Sequence, residues 1–295
     1  MGHLTRRDFF KSGLAATMLA GAGVRPVRAA KRSFKDFVPL GKSGVQVTRL
    51  AFGTGTNSGH VQALLGQDEF TRLIRYAYDH GIRFFETAES YQTPAMLGEA
   101  LKGLPRDSYK LMTKYTVRPN DDTQAKLDAF RKTLNTEYFD ILLMHCMRSP
   151  TWPDDTKRTQ DAFSEAREKK IILAKGASVH GLQGLGAFPG NQWLDIAMIR
   201  MNHTGWRMDT PDMRDTNDFG DVKQVVAQTT KVHAQGIGVI SMKLVGEGRF
   251  TNADDREASL KFAFGLGAVD AVTIGFKNTA EIDEAMERVD RALNA

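Results

Sequence analysis

A single cysteine in 295 residues, Cys146, excludes an intrachain disulfide and any cysteine-rich metal cluster. Cysteine usage therefore says nothing about redox compartment. After the leader, no stretch is long and apolar enough to cross a bilayer. The chain also lacks a real surplus of one charge sign. Its formal net charge is +5, but residues 1–29 carry Arg6, Arg7, Lys11, Arg25 and Arg28 against Asp8 alone. The remainder holds 35 Lys+Arg against 34 Asp+Glu, a net +1, which argues against a nucleic-acid partner. A dinucleotide-binding GxGxxG turn is missing too: FGTGTNSGH, after the first barrel strand, has its glycines at other spacings.

What is present begins with the leader. Thr5-Arg6-Arg7-Asp8-Phe9-Phe10-Lys11 precedes a mildly apolar, Ala- and Gly-rich stretch from Ser12 to Val24. Val27-Arg28-Ala29 then offers small residues at −3 and −1 of a cleavage point. Residues 1–29 resemble a twin-arginine signal peptide, which implies the twin-arginine export machinery as a partner and a periplasmic destination. The competing reading is an amphipathic N-terminal helix.

Residues 30–295 read as one domain. With 41% hydrophobic and 25% charged residues, the chain has the composition of a soluble protein with a substantial core. VPLGKSGVQVTRL reads as a hairpin around Gly41-Lys42-Ser43-Gly44. From Leu50 onward, compact apolar runs alternate with segments of helical periodicity, eight of each. Strands apolar on both faces belong to a covered parallel sheet. Eight units without a break predict a single closed (β/α)8 barrel, a TIM barrel, with an N-terminal β-hairpin.

In such a barrel the chemistry sits at the C-terminal ends of the strands. RFFETAESY, YKLMTKY and FDILLMHC end the second, third and fourth strands at Glu86, Lys114 and His145, with Tyr91 shortly after the second. An ammonium beside a phenol lowers the phenol's pKa, and a carboxylate keeps that ammonium charged and aimed. Such a phenol can give a proton to a developing alkoxide, with an imidazole holding the substrate oxygen. Each residue alone has an ordinary structural reading; the four together are specific.

FFETAESYQTPAMLGEALKGLPRDSYKLMTKY and DILLMHC resemble the signature strands of the aldo-keto reductases, and the likeness runs from residue 36 to 295. The resemblance implies a hairpin plugging the barrel floor and a catalytic tetrad of Glu86, Tyr91, Lys114 and His145. Tyr91 would be the general acid in an NADPH-dependent reduction of aldehydes or ketones, or in the reverse oxidation of an alcohol. KGASVH implies Ser178 near the nicotinamide amide, and IRMN implies Asn202 at the sixth strand. VISMKLVGEG implies Ser241 and Lys243 near the pyrophosphate, and TIGFKNTAEIDEA implies Gly275 and Lys277 near the adenosine phosphate. A positive group at a helix N-terminus suits a 2′-phosphate, so NADP(H) is expected, with preference over NAD(H) open.

The chain departs from that pattern at Glu86, which replaces an aspartate, and at Val179, Met198 and Met242, which replace polar or aromatic groups around the nicotinamide. An exported enzyme would have to carry its dinucleotide with it, held tightly. Trp152 and Trp206 are either walls of a substrate pocket or packing residues beneath the loops, and HTGWRMDTPDMRDTNDFG is long for a strand-to-helix loop. Two other readings remain at this stage. His145, His180 and His203, with Glu86, could bind a divalent metal for hydrolysis, although no HxH pair follows the first strand. The barrel could also be non-catalytic. Substrate, reaction direction and oligomeric state (monomer or small homo-oligomer) are not legible.

Overall fold

The computed structural model describes residues 31–211 and 218–295. The leader of residues 1–29 lies outside the described residues, as do residues 212–217 of the long loop. Two short strands, β1 (Phe37–Pro39) and β2 (Gln46–Thr48), pair antiparallel as the predicted hairpin. Eight parallel strands then close on themselves: β3 (Leu50–Gly53), β4 (Phe84–Glu86), β5 (Lys110–Tyr115), β6 (Phe139–Met147), β7 (Ile172–Val179), β8 (Ile196–Arg200), β9 (Gly238–Met242) and β10 (Ala271–Gly275). β10 pairs with β3 to complete the barrel, as the strand–helix alternation predicts.

The helices are α1 (His60–Ala63), α2 (Gly66–Asp79), α3 (Pro94–Leu101), α4 (Thr123–Thr133), α5 (Trp152–Asp155), α6 (Lys157–Glu168), α7 (Leu182–Gly186), α8 (Val222–Ala234), α9 (Ala253–Gly265) and α10 (Thr279–Leu293). The one-turn helices α1 and α5 were not expected from periodicity, which needs more than a turn to register. In α2 the buried residues Phe70, Leu73, Ile74 and Ala77 follow helical spacing, so one stripe faces the barrel. Asp122, Asp221, Asn252 and Asn278 cap α4, α8, α9 and α10 by accepting backbone N–H bonds. Each such cap contributes about 1 kcal/mol.

Strand parity divides the core in two. Ala51, Phe84, Met112, Ile141, Leu143, Ala174, Ile196, Met198, Ile240 and Met242 point into the barrel. Their strand neighbours Phe52, Phe85, Leu111, Leu142, Ala177, Ile199 and Val239 pack outward against the helices. Leu40, Val45 and Val47 of the hairpin join the interior cluster, so the hairpin plugs the floor. Gly238 makes this possible, because a Cβ there would lie 2.6 Å from the Leu40 carbonyl carbon. The opposite end, where β4, β5 and β6 finish, is free for chemistry. Among the described residues no helix is long and apolar enough to cross a membrane.

Candidate active site

Inward parity puts Glu86 and Lys114 on the barrel axis at the top of β4 and β5, both almost fully buried. The Lys114 ammonium forms an ion pair with the Glu86 carboxylate and donates to the Thr87 carbonyl at 2.9 Å. The second Glu86 oxygen accepts from Thr273 Oγ1 at 3.4 Å. A charge this deep is tolerated only when paired and hydrogen-bonded, and here both conditions are met. The added methylene of Glu86 is taken up by this three-way contact.

Tyr91 reaches the same point from the loop after β4. That loop continues to pair with β5, Thr87 N–H donating to Met112 O at 3.0 Å and Glu89 N–H to Lys114 O at 2.9 Å. The Glu89 carboxylate then anchors it, accepting from the Thr116 N–H at 2.9 Å and from Arg118 at 2.8 Å. The Tyr91 N–H turns back to Ala88 O, bringing the ring over Lys114, whose Nζ lies 4.7 Å from the ring centroid. Gly55 leaves room for it, since a Cβ there would strike the Tyr91 ring. The His145 ring meets Tyr91 edge to face, with centroids 5.7 Å apart. His145 Nδ1 lies 3.3 Å from Ser90 Oγ. The four residues read from the sequence therefore converge.

The electrostatics differ from the expectation in one respect. Burial raises the Tyr91 phenol well above its ordinary pKa, and the Glu86 carboxylate and Cys146 thiol add to the rise. Together these outweigh the pull of the Lys114 ammonium beside the ring, so the net shift is upward. The phenol is thus protonated throughout the neutral range, the form a proton donor needs. His145 moves the other way: burial, then Lys114, His180, Lys243 and Arg148, hold its imidazole well below the usual range. It is neutral at pH 7.

The other expected residues divide. Ser178 shares the inward parity of Ala174 and accepts the Cys146 N–H at 2.9 Å, beside His145 and at a register shift in the β6–β7 pairing. Lys243 and Gly275 line a groove that leads away from Tyr91 together with Met198 and Met242. Lys277 lines the outer continuation of that groove. Ser241 does not reach it. It shares the outward parity of Val239 and is buried on the helix side, its hydroxyl without a hydrogen-bond partner among the described residues. Asn202 is occupied elsewhere: its amide donates to Trp206 O (2.8 Å) and Lys243 O (3.3 Å), and its oxygen accepts from Thr204 and Gly205. Val179 also points outward into the helix layer, so it takes no place in the mouth.

Trp152 is a core residue rather than a pocket wall, its indole N–H donating to Gly184 O at 3.2 Å under the Phe188 ring. Trp206 meets the Phe219 ring edge to face and carries the Arg249 guanidinium 4.0 Å from its ring centroid. The three histidines offered as metal ligands do not gather. His203 faces Asp255 at 3.5 Å, Glu86 is committed to Lys114, and among the described residues no group of three or more His, Cys, Asp or Glu side chains is placed to hold a metal ion.

Glu247 was not anticipated. It lines both parts of the groove and binds Lys243 (2.5 Å), Arg207 and the Asn57 N–H (3.4 Å), joining the loops after β9, β8 and β3. It sits in a 3-10 turn with a positive φ and has no strand register to announce it. The outer cavity is about 490 Å³ and shares Thr56, Val245, Glu247, Ile274 and Gly275 with the inner groove. A Cβ on Gly275 would strike Thr56 Oγ1, so the bare backbone there keeps the passage open. A long, narrow ligand with one end beside Tyr91 fits this shape, as a dinucleotide would.

A family model described as the aldo/keto reductase family matches residues 49–289. Probable aldo-keto reductase 1 of Glycine max is 30% identical over 155 residues, which is 48% of this chain and 45% of that protein. Glycerol 2-dehydrogenase (NADP(+)) of Saccharomyces cerevisiae is 26% identical over 113 residues, 38% of this chain and 32% of that protein. The matched segments thus span less than half of either relative. In fold, the chain resembles an aldo-keto reductase from Bacillus halodurans in its holo form, with a TM-score of 0.65 at 18% identity, covering 88% of this chain and 91% of that one. With its closed eight-stranded barrel and a family match over residues 49–289, this chain belongs to the aldo/keto reductase family.

Proposed function

We propose that this protein is an NAD(P)H-dependent oxidoreductase that reduces aldehydes or ketones to alcohols, with Tyr91 as the proton donor. The observation that carries this reading is a protonated phenol held between a buried Lys114–Glu86 pair and a neutral imidazole, at the inner end of a groove that opens into a cavity of about 490 Å³. Glycerol 2-dehydrogenase (NADP(+)), by its name, works with the same class of cofactor. Met198, Met242, Lys243 and Gly275 would line the inner part of the cofactor, and Glu247 and Lys277 the outer part.

A reduced nicotinamide held there would supply the hydride for the carbonyl carbon. As negative charge grows on the carbonyl oxygen, Tyr91 O–H gives it a proton and the alcohol forms. Lys114 stabilises the phenolate left behind, and Glu86 keeps the ammonium aimed. His145, neutral and packed against Tyr91, can donate an N–H to the same oxygen and so orient the carbonyl. Desolvation by the buried strand ends strengthens each of these interactions.

The test is Tyr91→Phe in the intact chain. The expected outcome is a fall in kcat of about 10²–10⁴-fold, with cofactor binding, followed by protein fluorescence, unchanged. Equal turnover of a broad carbonyl panel by both proteins would overturn the reading.

The leader supports a second part of this proposal, that the folded chain is exported to the periplasm through the twin-arginine route with its cofactor aboard. Glu247, which ties three loops beside the groove, favours slow cofactor exchange. Protein recovered from the periplasmic fraction should release nicotinamide dinucleotide on denaturation, and replacing Arg6 and Arg7 by Lys should hold it in the cytoplasm. Export unaffected by that replacement would count against the route.

A further inference from the structure

The groove settles where the far end of a dinucleotide must go. From Tyr91 it continues through Thr56, Ile274 and Gly275 into the 490 Å³ cavity beside α9 and α10. With the nicotinamide end beside Tyr91, as the proposed hydride transfer requires, the adenosine ribose falls in that outer cavity. Whether the ribose carries a 2′-phosphate is then a question about the charges lining it.

Those charges cancel. Arg256, Lys277 and Arg288 face Glu247, Glu281 and Glu284. The cations are also already engaged. Arg256 binds Glu284 through two nitrogens at 2.6 and 3.0 Å and spends its third on the carbonyls of Phe250 and Thr251, both at 2.8 Å. Arg288 spans Glu284 at 2.6 Å and Glu257 at 2.8 Å. Lys277, the residue expected to take a 2′-phosphate, pairs with Glu281 at 3.3 Å, and its own N–H donates to Glu281 at 2.8 Å.

Glu281 decides the balance. It lies in the first turn of α10, where the helix dipole and free N–H groups would otherwise draw a phosphate. Its N–H is taken by the Asn278 side chain at 2.9 Å, and its carboxylate covers the Lys277 N–H. A dianionic phosphate would meet a lining of no net charge that includes the Glu281 carboxylate. A ribose diol would find acceptors for its hydroxyls, the arrangement by which an acidic residue selects NAD(H) in other dinucleotide sites. We infer that this chain prefers the unphosphorylated dinucleotide, NAD(H), and that Glu281 is the residue that sets the preference.

The test is a fluorescence or calorimetric titration of the intact protein with NADH and NADPH at fixed ionic strength, repeated on Glu281→Arg and Glu281→Gln. Wild type should bind NADH up to about fivefold tighter than NADPH, the effect of roughly one solvent-exposed charge–charge interaction. Glu281→Arg should reverse the order and Glu281→Gln should narrow it. Equal or tighter binding of NADPH by wild type would overturn the inference, as would a ratio unmoved by Glu281→Arg. Because the wild-type ratio is read without any substitution, the result does not depend on how the variants fold. Failure of both dinucleotides to bind protein that releases no nicotinamide dinucleotide on denaturation would instead overturn the hydride-transfer reading on which the inference rests.

Discussion

At the ends of β4, β5 and β6 the polar groups are carried by strands or held hard against them, and they face inward toward one point. At the ends of β8 and β9 the polar groups are spent on one another. Asn202 ties the β8 loop to Lys243, while Glu247 gathers Arg207, Lys243 and Asn57. The first region is a cluster of buried, mutually packed polar groups whose geometry follows from strand parity. The second is a set of loops braced by side-chain bonds, where the same residue types serve architecture. Identical chemistry on the two sides of one mouth therefore has different meanings.

The comparison can be broken most sharply at Lys114. Replacing it with Met leaves the Glu86 carboxylate buried without its counter-charge and should cost about 3–5 kcal/mol of stability, measured by urea denaturation. Adding Glu86→Gln to that variant should recover part of the loss, since the unpaired charge is then gone. If Lys114→Met were as stable as wild type, the strand-borne side would not depend on its buried pair.

On the braced side, Asn202→Ala should cost about 1–3 kcal/mol, because several loop N–H and carbonyl groups lose their partner. Its kinetic signature should be weaker cofactor binding with little change in kcat, in contrast to Tyr91→Phe. A pure kcat defect in Asn202→Ala would move this residue into the chemistry.

The smallest effect concerns pH. His145 is held neutral in the folded protein, with its pKa below that of the unfolded chain. Its contribution is therefore fully present above about pH 6.5 and is lost as pH falls toward the folded value. Relative to His145→Gln, wild type should lose up to about 1.4 kcal/mol per pH unit below that point. Parallel stability curves for the two proteins would show that the imidazole is not desolvated as described. Activity should stay flat across neutral pH, since Tyr91 remains protonated and His145 neutral there.

Much of the tetrad side was legible in the sequence because it depends on short-range regularities. Apolar runs reveal strands, their ends locate Glu86, Lys114 and His145, and Tyr91 follows within a few residues. The cofactor side was legible only in part. Ser241 and Asn202 match the family pattern by position, yet Ser241 faces the helices and the Asn202 amide is taken by its own loop. Trp152 looked like a pocket wall and is a core residue. Glu247 and Glu281 gave no signal, since a carboxylate in a loop or a first helical turn is ordinary until its neighbours are known.

Local periodicity by itself determined the eight strand–helix units, the hairpin and the order in which the chemical groups emerge. Parity along a strand is a backbone property, so it can be read without a partner. The tertiary structure alone decided which carboxylate each cation pairs with, which hydroxyls face the mouth, and that the Lys114 ammonium is paired with Glu86. Those outcomes depend on distances between residues far apart in the chain. Electrostatic energy falls off over a few ångströms of space, with no regard to separation in sequence.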